Sequence, residues 1–348
     1  MSHFHSHALP SFFDVEHQLD KIHAINDFLV RLNTLIDWSI FLAPLSTIRP
    51  QRDSSRGGRP PFDSLLMLKI LVLKTLYNLS DENTELLIRD RLSFREFLGL
   101  SFSDVVPDAR TIWLFSELLK EQDMERHLFD LFHEELSRHG LEAKGGCSMD
   151  GTFVEVPKQH NSRDENAQIK RGTIPKRFTS EPHVGCHKDT DARWAKKNEE
   201  KHFGYKNHVL ADSENKTILD YEVTDASVHD SIPCLDLMPP ESAYEGQEFH
   251  ADAAYVGSEN NPIQEDLKER GFDPQICEKG VRNHPLTPLQ RFCNSIKSSV
   301  RCRIEHIFGA QKKRMGDETL RTIGLKRARF WIGMRNLVSN MCRVVMLK

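Results

Sequence analysis

Three acidic residues that lie far apart in the sequence are best suited to do chemistry together. Asp150 lies within a predicted strand, Asp252 at the far end of another, and Glu305 on a predicted helix. Mg²⁺ and Mn²⁺ prefer carboxylate oxygens, and two such ions about 3.5–4 Å apart support phosphodiester chemistry. Converging carboxylates repel, so at least one should have a raised pKa. Each acid alone is better explained as a capping group, so the prediction rests on the triple.

Glu305 belongs to a predicted amphipathic helix, Ser295 to Gly316. Its apolar residues recur at helical spacing and predict a buried stripe, formed by Val300, Ile304, Ile307 and Phe308. Arg301, Glu305 and Lys312 share another face, because four residues turn about 40° past one full turn and eleven close three turns. Two interpretations stay open: an ordinary ladder of helical ion pairs, or a carboxylate between two cations that bind a polyanion.

The elements around these acids predict an α/β domain over residues 145–348. The order is a strand with Asp150, two hairpin strands, a helix, a strand ending at Asp252, a helix, a strand and the helix of Glu305. An RNase H-like core, a mixed five-stranded sheet with flanking helices, has this order. The first acid is on the first strand, the second on the fourth and the third on a later helix. The polar segment Lys158 to Lys201 predicts a mobile loop.

The preceding sequence predicts an all-α N-terminal region in two parts. Residues 1–60 combine helices with a basic linker, whose arginines at 49, 52, 56 and 59 either follow phosphates or keep a loop solvated. Residues 61–144 predict a domain of short helices, beginning with a nearly all-apolar buried helix. Its helix ARTIWLFSELLKEQ resembles the second helix of a helix-turn-helix, which makes Arg110 and Thr111 candidates for DNA contact. A plain helical bundle would produce the same pattern.

Composition limits the classes of protein. The 348 residues carry a net charge of −4, yet from Arg301 onward there are 12 Lys or Arg against three acids, which suits a polyanionic partner. Seven scattered cysteines without CxxC spacing predict neither a disulfide framework nor a zinc site. No run of about 18 apolar residues or secretory leader is present. We therefore expect a cytoplasmic, nucleoid-associated protein without membrane contact.

Several motifs together resemble the DDE transposases of bacterial insertion sequences. MDGTFVEV, HADAAYVG and RCRIEHIFGAQKK are similar to the three catalytic motifs of that family. The last resembles its Tyr-Arg-Glu-Lys signature, with Arg301, Glu305 and Lys312 in register and Ser298 at the Tyr position. The segment from Gly58 to Leu100 resembles the N-terminal domain of the insertion-sequence-five family. DTDARW, FGYKNHVLAD and VTDASVHD resemble its central segment, so the resemblance covers most of the chain.

The resemblance implies a transposase that cuts at the ends of an insertion sequence and joins the freed 3′-hydroxyl to target DNA. Asp150, Asp252 and Glu305 would be catalytic residues and ligands of two Mg²⁺ or Mn²⁺ ions. Arg301, Lys312 and Lys313 would contact double-stranded DNA, namely the terminal inverted repeats and the target, within a homodimer. Two alternatives stay open: an RNase H-like nuclease that only hydrolyses, and an inactive DNA-binding relic.

A further set of residues matches family motifs without a role that the sequence reveals. They are Asp189, Asp191, Arg193, Tyr205, Lys206 and His208. We expect them to be a structural loop and strand with satisfied polar groups. Trp194 either stacks on a splayed base or packs within the protein.

Overall fold

The computed structural model describes residues 13–48, 60–138, 140–141, 145–197, 199–238, 245–256, 263–280, 284–317 and 319–348. The histidine-rich N-terminus and the arginines at 49, 52, 56 and 59 lie outside these residues. The chain divides into two compact units. The first contains the described parts of Met1–Lys74, Leu79–Glu117 and Val344–Lys348, and the second those of Thr75–Asn78 and Leu118–Arg343.

Helices build the first unit, as the sequence predicts. They are α1 (Asp14–Ile25), α2 (Phe28–Leu35), a 3₁₀ turn (Trp38–Phe41), α3 (Leu42–Thr47), α4 (Ser64–Leu76), α5 (Asp81–Asp90), α6 (Leu92–Leu98) and α7 (Ala109–Glu121). In α4 the side chains from Ile70 to Leu73 are fully buried, because this helix is apolar on almost every face. Asp27 and Ser80 cap α2 and α5 by accepting backbone N–H groups.

No single helix among the described residues is long and apolar enough to cross a membrane. By length and composition alone, only the bent pair Phe28–Leu35 and Trp38–Thr47 meets that test.

A mixed sheet is the centre of the second unit. Its strands are β1 (Cys147–Glu155), β2 (Arg193–Lys197), β3 (Glu200–Asp212), β4 (Ile218–Asp225), β5 (Glu248–Ala251) and β6 (Asp273–Ile276). Antiparallel pairing joins β1 to β3 and β3 to β4, while parallel pairing joins β1 to β5 and β5 to β6. The order β4-β3-β1-β5-β6, with these directions, is that of an RNase H-like core. The predicted fold class is confirmed.

Helices complete the second unit. They are α8 (Met124–Arg138), α9 (Arg163–Lys170), α10 (Lys176–Ser180), α11 (Pro182–Gly185), α12 (Cys234–Leu237), α13 (Ile263–Glu269), α14 (Pro288–Met315) and α15 (Leu325–Leu347), with a 3₁₀ turn at Ala253–Val256. One face of the sheet buries an apolar core that includes Met149, Leu210, Phe249 and Tyr255. The opposite face carries Asn207, which hydrogen-bonds Asn336 of α15.

The segment Lys158 to Lys201 corrects one prediction. The sequence indicated a mobile loop, whereas the structure has three short helices and the additional strand β2, so that the sheet has six strands. The Ser162–Glu165 capping box begins α9, and Ile169 and Phe178 bury their side chains. The sequence did not predict these elements, because few apolar side chains hold each one and the segment is polar throughout.

Helix α14 begins earlier than predicted. It starts at Pro288 rather than Ser295, since Thr287 and Gln290 form a capping box and Pro288 occupies the first helical position. The buried stripe contains Ile304, Ile307 and Phe308 as expected, but Val300 is only half-buried.

Candidate active site

Asp150 lies on β1 opposite Val209 of β3 and is mostly buried. Its Oδ1 accepts the backbone N–H of Gly151 at 2.8 Å. Burial raises the pKa of Asp150 to about 6. The Gly151 N–H and the ammonium of Lys197 act against that rise, and the charge of Asp252 adds to it. The pKa of this acid is thus raised as the sequence predicts, but mainly by burial, and repulsion from Asp252 is only a smaller contribution.

The register of the parallel strands places Asp252 beside Asp150. Cys147 pairs with Phe249 and Ser148 with His250, so the same offset brings position 150 level with position 252. Neighbouring strands lie about 4.8 Å apart. Asp252 follows directly after β5, and its Oδ1 accepts the N–H of Ala254 at 2.8 Å, which fixes the carboxylate at the end of the strand.

Glu305 joins this pair through a guanidinium group. Arg301 Nη2 is 2.8 Å from Glu305 Oε1, and Arg301 Nη1 is 3.6 Å from Asp150 Oδ2. Burial opposes the charge of Arg301, but the carboxylates of Asp150 and Glu305 prevail and raise its pKa. Arg301 thus interacts with carboxylates on two elements, Glu305 on α14 and Asp150 on β1. The ion pair within the helix therefore continues to the sheet.

The three acids offer a donor set for a metal ion. Among the described residues, no three His, Cys, Asp or Glu side chains are close enough to one another to hold a metal ion. The three acids supply only hard oxygen donors, which suit Mg²⁺ or Mn²⁺, and a cationic group already lies between Asp150 and Glu305. The chemistry of the donors fits a divalent cation, and Arg301 occupies part of the space that separates them.

The other predicted DNA contacts lie on helices, and all but Thr111 are exposed. Lys312 and Lys313 are exposed on the last turn of α14, where Lys312 shares a face with Glu305 two turns earlier. Arg110 and Thr111 belong to the first unit. They lie in the first turn of α7, where Asp108 accepts the N–H of Thr111 at 2.6 Å. Arg110 is exposed and Thr111 half-buried.

The Asp-Thr-Asp-Ala-Arg motif has a structural role. The carboxylate of Asp189 is buried and accepts the Tyr205 hydroxyl at 2.8 Å and the Gly324 N–H at 3.1 Å. Asp191 accepts the N–H of Leu325 at 2.9 Å, at the beginning of α15. The Arg193 guanidinium donates to backbone carbonyls, including that of Thr190. These polar groups are satisfied within the protein, as expected.

Sequence reasoning missed a buried cluster beneath Gly151. Lys206 Nζ donates to Asp230 Oδ1 at 2.9 Å. His208 Nδ1 is 3.9 Å from the same oxygen and has no hydrogen-bond partner among the described residues, which corrects the expectation of satisfied polar groups for this ring. Burial lowers the pKa of His208 to about 4. A Cβ on Gly151 would lie 2.9 Å from Asp230 Oδ1, so a larger residue after Asp150 would displace the Asp230 carboxylate from its contact with Lys206. The only sequence signal for Asp230 was its place in VTDASVHD.

Ser298, which occupies the signature's Tyr position, contacts Cys277. Their Oγ and Sγ atoms are 3.6 Å apart. The side chain therefore faces the end of β6, within the protein.

The strand order and the strand directions define an RNase H-like domain. The chain belongs to the DDE transposases of insertion-sequence type. Residues 142–341, more than half of the chain, match the family Transposase DDE domain, and residues 16–118 match the Transposase domain (DUF772). The protein is therefore an enzyme of DNA transposition, in a family that generally uses divalent metal ions.

One solved structure is similar to this chain over most of its length. It is the cryo-EM structure of the piggyBac transposase synaptic complex with hairpin DNA. The two share 11% sequence identity and a TM-score of 0.46, over 94% of this chain and 76% of that one.

Proposed function

We propose that this transposase cleaves DNA at the ends of an insertion sequence and transfers the freed 3′-hydroxyl to target DNA. Asp150, Asp252 and Glu305 are the catalytic acids and the ligands of two Mg²⁺ or Mn²⁺ ions. The observation that carries this proposal is the register of the parallel strands β1 and β5, which brings Asp150 level with Asp252 at the end of β5, with Glu305 linked to Asp150 through Arg301. When bound, the ions would activate the nucleophile and support the leaving oxygen.

The chain's residues orient two successive displacements. In the first, the oxygen of water attacks the phosphorus at the element end, the bond to the 3′ oxygen breaks, and a 3′-hydroxyl is released. In the second, that hydroxyl attacks a target phosphorus and the target's own 3′ oxygen leaves. No covalent protein–DNA bond forms. The strands and helix that carry the acids hold them in fixed positions, which lowers the entropic cost of bringing the reacting groups together.

Cationic residues of α14 bind the substrate in this proposal. Arg301, Lys312 and Lys313 contact phosphates near the element ends, and Arg110 and Thr111 of the domain 61–144 contact duplex DNA. The exposed lysines at the end of α14 support these roles. A homodimer binds the DNA partners, which are the terminal inverted repeats and the target. The protein is associated with the nucleoid. The segment from Gly58 to Leu100 and the central motifs DTDARW, FGYKNHVLAD and VTDASVHD support membership of the insertion-sequence-five family.

A nuclease that only hydrolyses DNA is the second candidate function, because the same three acids would support it. An inactive relic is disfavoured by the presence of all three acids.

A plasmid assay tests the proposal. DNA that flanks the gene on both sides supplies the donor ends, and a second plasmid is the target. Joined products with Mg²⁺ would support transposition, whereas nicked donor without joining would favour the nuclease. Asp252→Asn is the matched control, because it keeps the acceptor for Ala254 N–H and removes the charge. Normal cleavage by this variant, with an unchanged thermal melt, would refute the assignment of the three acids.

A further inference from the structure

Strands β2 and β3 form a ribbon that extends past the central sheet. The pairing of β1 with β3 ends at Glu155–Gly204, and that of β4 with β3 ends at Tyr205–Asp225. Beyond these pairs, Glu200–Phe203 of β3 pair with β2, and one further hydrogen bond joins Val156 N–H to the Phe203 carbonyl. We call Arg193–Lys197 and Glu200–Gly204 the β2–β3 ribbon.

Hydrogen bonds hold the β2–β3 ribbon where it joins the central sheet. Asp189 accepts the N–H of Ala192, immediately before β2, at 3.0 Å, and the Tyr205 hydroxyl, immediately after the ribbon, at 2.8 Å. At Gly204 a Cβ would lie 2.3 Å from the Val154 carbonyl oxygen, so the two backbones meet closely there. The motif without a predicted role therefore anchors the ribbon, and its outer residues have a defined position.

The ribbon presents an aromatic ring on the same face of the sheet as Asp150. Trp194 pairs with Phe203, which is two residues from Tyr205, the partner of Val154. Side chains alternate between faces along a strand, so Trp194, Phe203, Val154 and Asp150 share one face. The Trp194 and Phe203 ring centroids are 5.0 Å apart, yet Trp194 is still 45% exposed. One side of this large apolar ring is covered and the rest is open.

The ribbon also carries an unfavourable arrangement of charge. Lys196 and Lys201 are directly opposite each other across the strand pair, and like charges in this position destabilise a sheet. Lys196 is 2.9 Å from Glu199, whereas Lys201 has no ion-pair partner among the described residues. Lys197, at the end of β2, is also exposed and unpaired within the part of the chain that the structure describes.

We propose that the β2–β3 ribbon is a DNA-contacting arm of the active site, in which Lys197 and Lys201 bind backbone phosphates beside the catalytic acids and the exposed ring of Trp194 stacks on an unpaired base. This inference rests on the proposed function, since it assigns further contacts to the same DNA. The facing pair Lys196 and Lys201 is costly in the free protein but favourable against a polyanion. An exposed aromatic ring beside cations is the usual platform for single-stranded nucleic acid.

Salt dependence of DNA binding tests the lysines. The variants are Lys197→Gln and Lys201→Gln. The matched control is Lys268→Gln, an exposed lysine of α13, a helix that contributes Leu267 to the core on the other face of the sheet. The probe is a fluorescein-labelled duplex with a 3′ single-stranded tail, in Ca²⁺ to prevent cleavage. We expect each ribbon variant to flatten the slope of log Kd against log salt by about 0.9, and the control to leave it unchanged.

A melting curve separates contact with DNA from a structural role. Lys201→Gln removes the repulsion from Lys196, so its melting temperature should equal or exceed that of the wild type while its affinity falls. Lost affinity together with a lowered melting temperature in both ribbon variants would indicate a structural ribbon and overturn the proposal. Ribbon variants whose slopes of log Kd against log salt equal that of Lys268→Gln would overturn the proposal as well.

A fluorescent base tests Trp194. With 2-aminopurine in the single-stranded tail, wild type and Trp194→Phe should quench its emission on binding, because both place an aromatic ring there, whereas Trp194→Ala should not. Equal quenching by all three would overturn the stacking. If the lysine variants flatten the slope of log Kd against log salt but the wild type does not cleave DNA with Mg²⁺, the DNA-contacting arm is supported and the proposed catalysis is refuted. Cleavage with unchanged slopes would refute the arm alone.

Discussion

Arg301 and Glu305 form a 2.8 Å ion pair within α14, and the same guanidinium is 3.6 Å from Asp150 on β1. The pair differs from an ordinary i, i+4 contact, because the cation also compensates a mostly buried carboxylate on another element. In the protein alone, Arg301 thus supplies positive charge at the place where divalent cations would act. If the acids bind metal ions as proposed, those ions and Arg301 would compete for the same carboxylate oxygens.

Removal of Arg301 should therefore strengthen metal binding to the free protein. We expect Arg301→Gln to raise the affinity for Mn²⁺ several-fold, because the acids lose their internal counter-charge, and to reduce DNA cleavage. Isothermal titration calorimetry with the DNA-free protein measures the first effect. Arg291→Gln, at an exposed position of the same helix, is the control. Unchanged Mn²⁺ affinity in Arg301→Gln would contradict the competition.

Lys312 should contribute one phosphate contact. Its exposed side chain on the Glu305 face of α14 motivates the substitution Lys312→Gln, which should flatten the slope of log Kd against log salt by about one unit. Fluorescence anisotropy with duplex DNA at several salt concentrations provides the slopes, and Lys268→Gln is again the reference. A slope like that of wild type would place Lys312 outside the DNA interface.

The sequence predicted the elements that have strong local patterns. Apolar and β-branched residues around Asp150 indicated a strand, and helical spacing identified the buried stripe of α14. The level positions of Asp150 and Asp252 were beyond such reasoning, because they follow from the register of two parallel strands that are distant in sequence. Strand β2 was missed because it is polar: backbone hydrogen bonds to β3 hold it, and little apolar burial marks it. The contact of Arg301 with Asp150 depends on tertiary packing in the same way.

Different metal ions should separate binding from cleavage. Mg²⁺ and Mn²⁺ should support both, whereas Ca²⁺ should support DNA binding only. Ca²⁺ also suits oxygen donors, but its coordination is longer and more flexible, at about 2.3–2.6 Å against about 2.0–2.1 Å for Mg²⁺. The test is a cleavage assay beside a gel shift, with each ion added after treatment with EDTA. Cleavage that persists in EDTA, or that requires Zn²⁺, would mean that the three acids are not the active centre.

Glu125 should make the stability of the protein depend on pH. This residue of α8 is 5% exposed, and no hydrogen-bond partner for its Oε2 occurs among the described residues. Burial raises its pKa from 4.5 to about 7, an effect that Asp123 increases and Lys326 and Arg329 oppose. Because the folded pKa exceeds the unfolded one, the stabilising contribution is complete below pH 4.5 and is lost as pH rises through about 7.

The substitution Glu125→Gln should remove this pH dependence. The neutral amide has nearly the same shape as the carboxyl group and carries no charge to desolvate. The free energy of unfolding of the variant, relative to that of wild type, should therefore increase by about 1–2 kcal/mol from about pH 5 to about pH 8. Chemical denaturation at the two pH values measures the difference. Glu269→Gln, at an exposed position of α13, controls for the loss of a surface charge. If the variant and wild type differ in free energy of unfolding by the same amount at both pH values, Glu125 ionises normally in the folded protein.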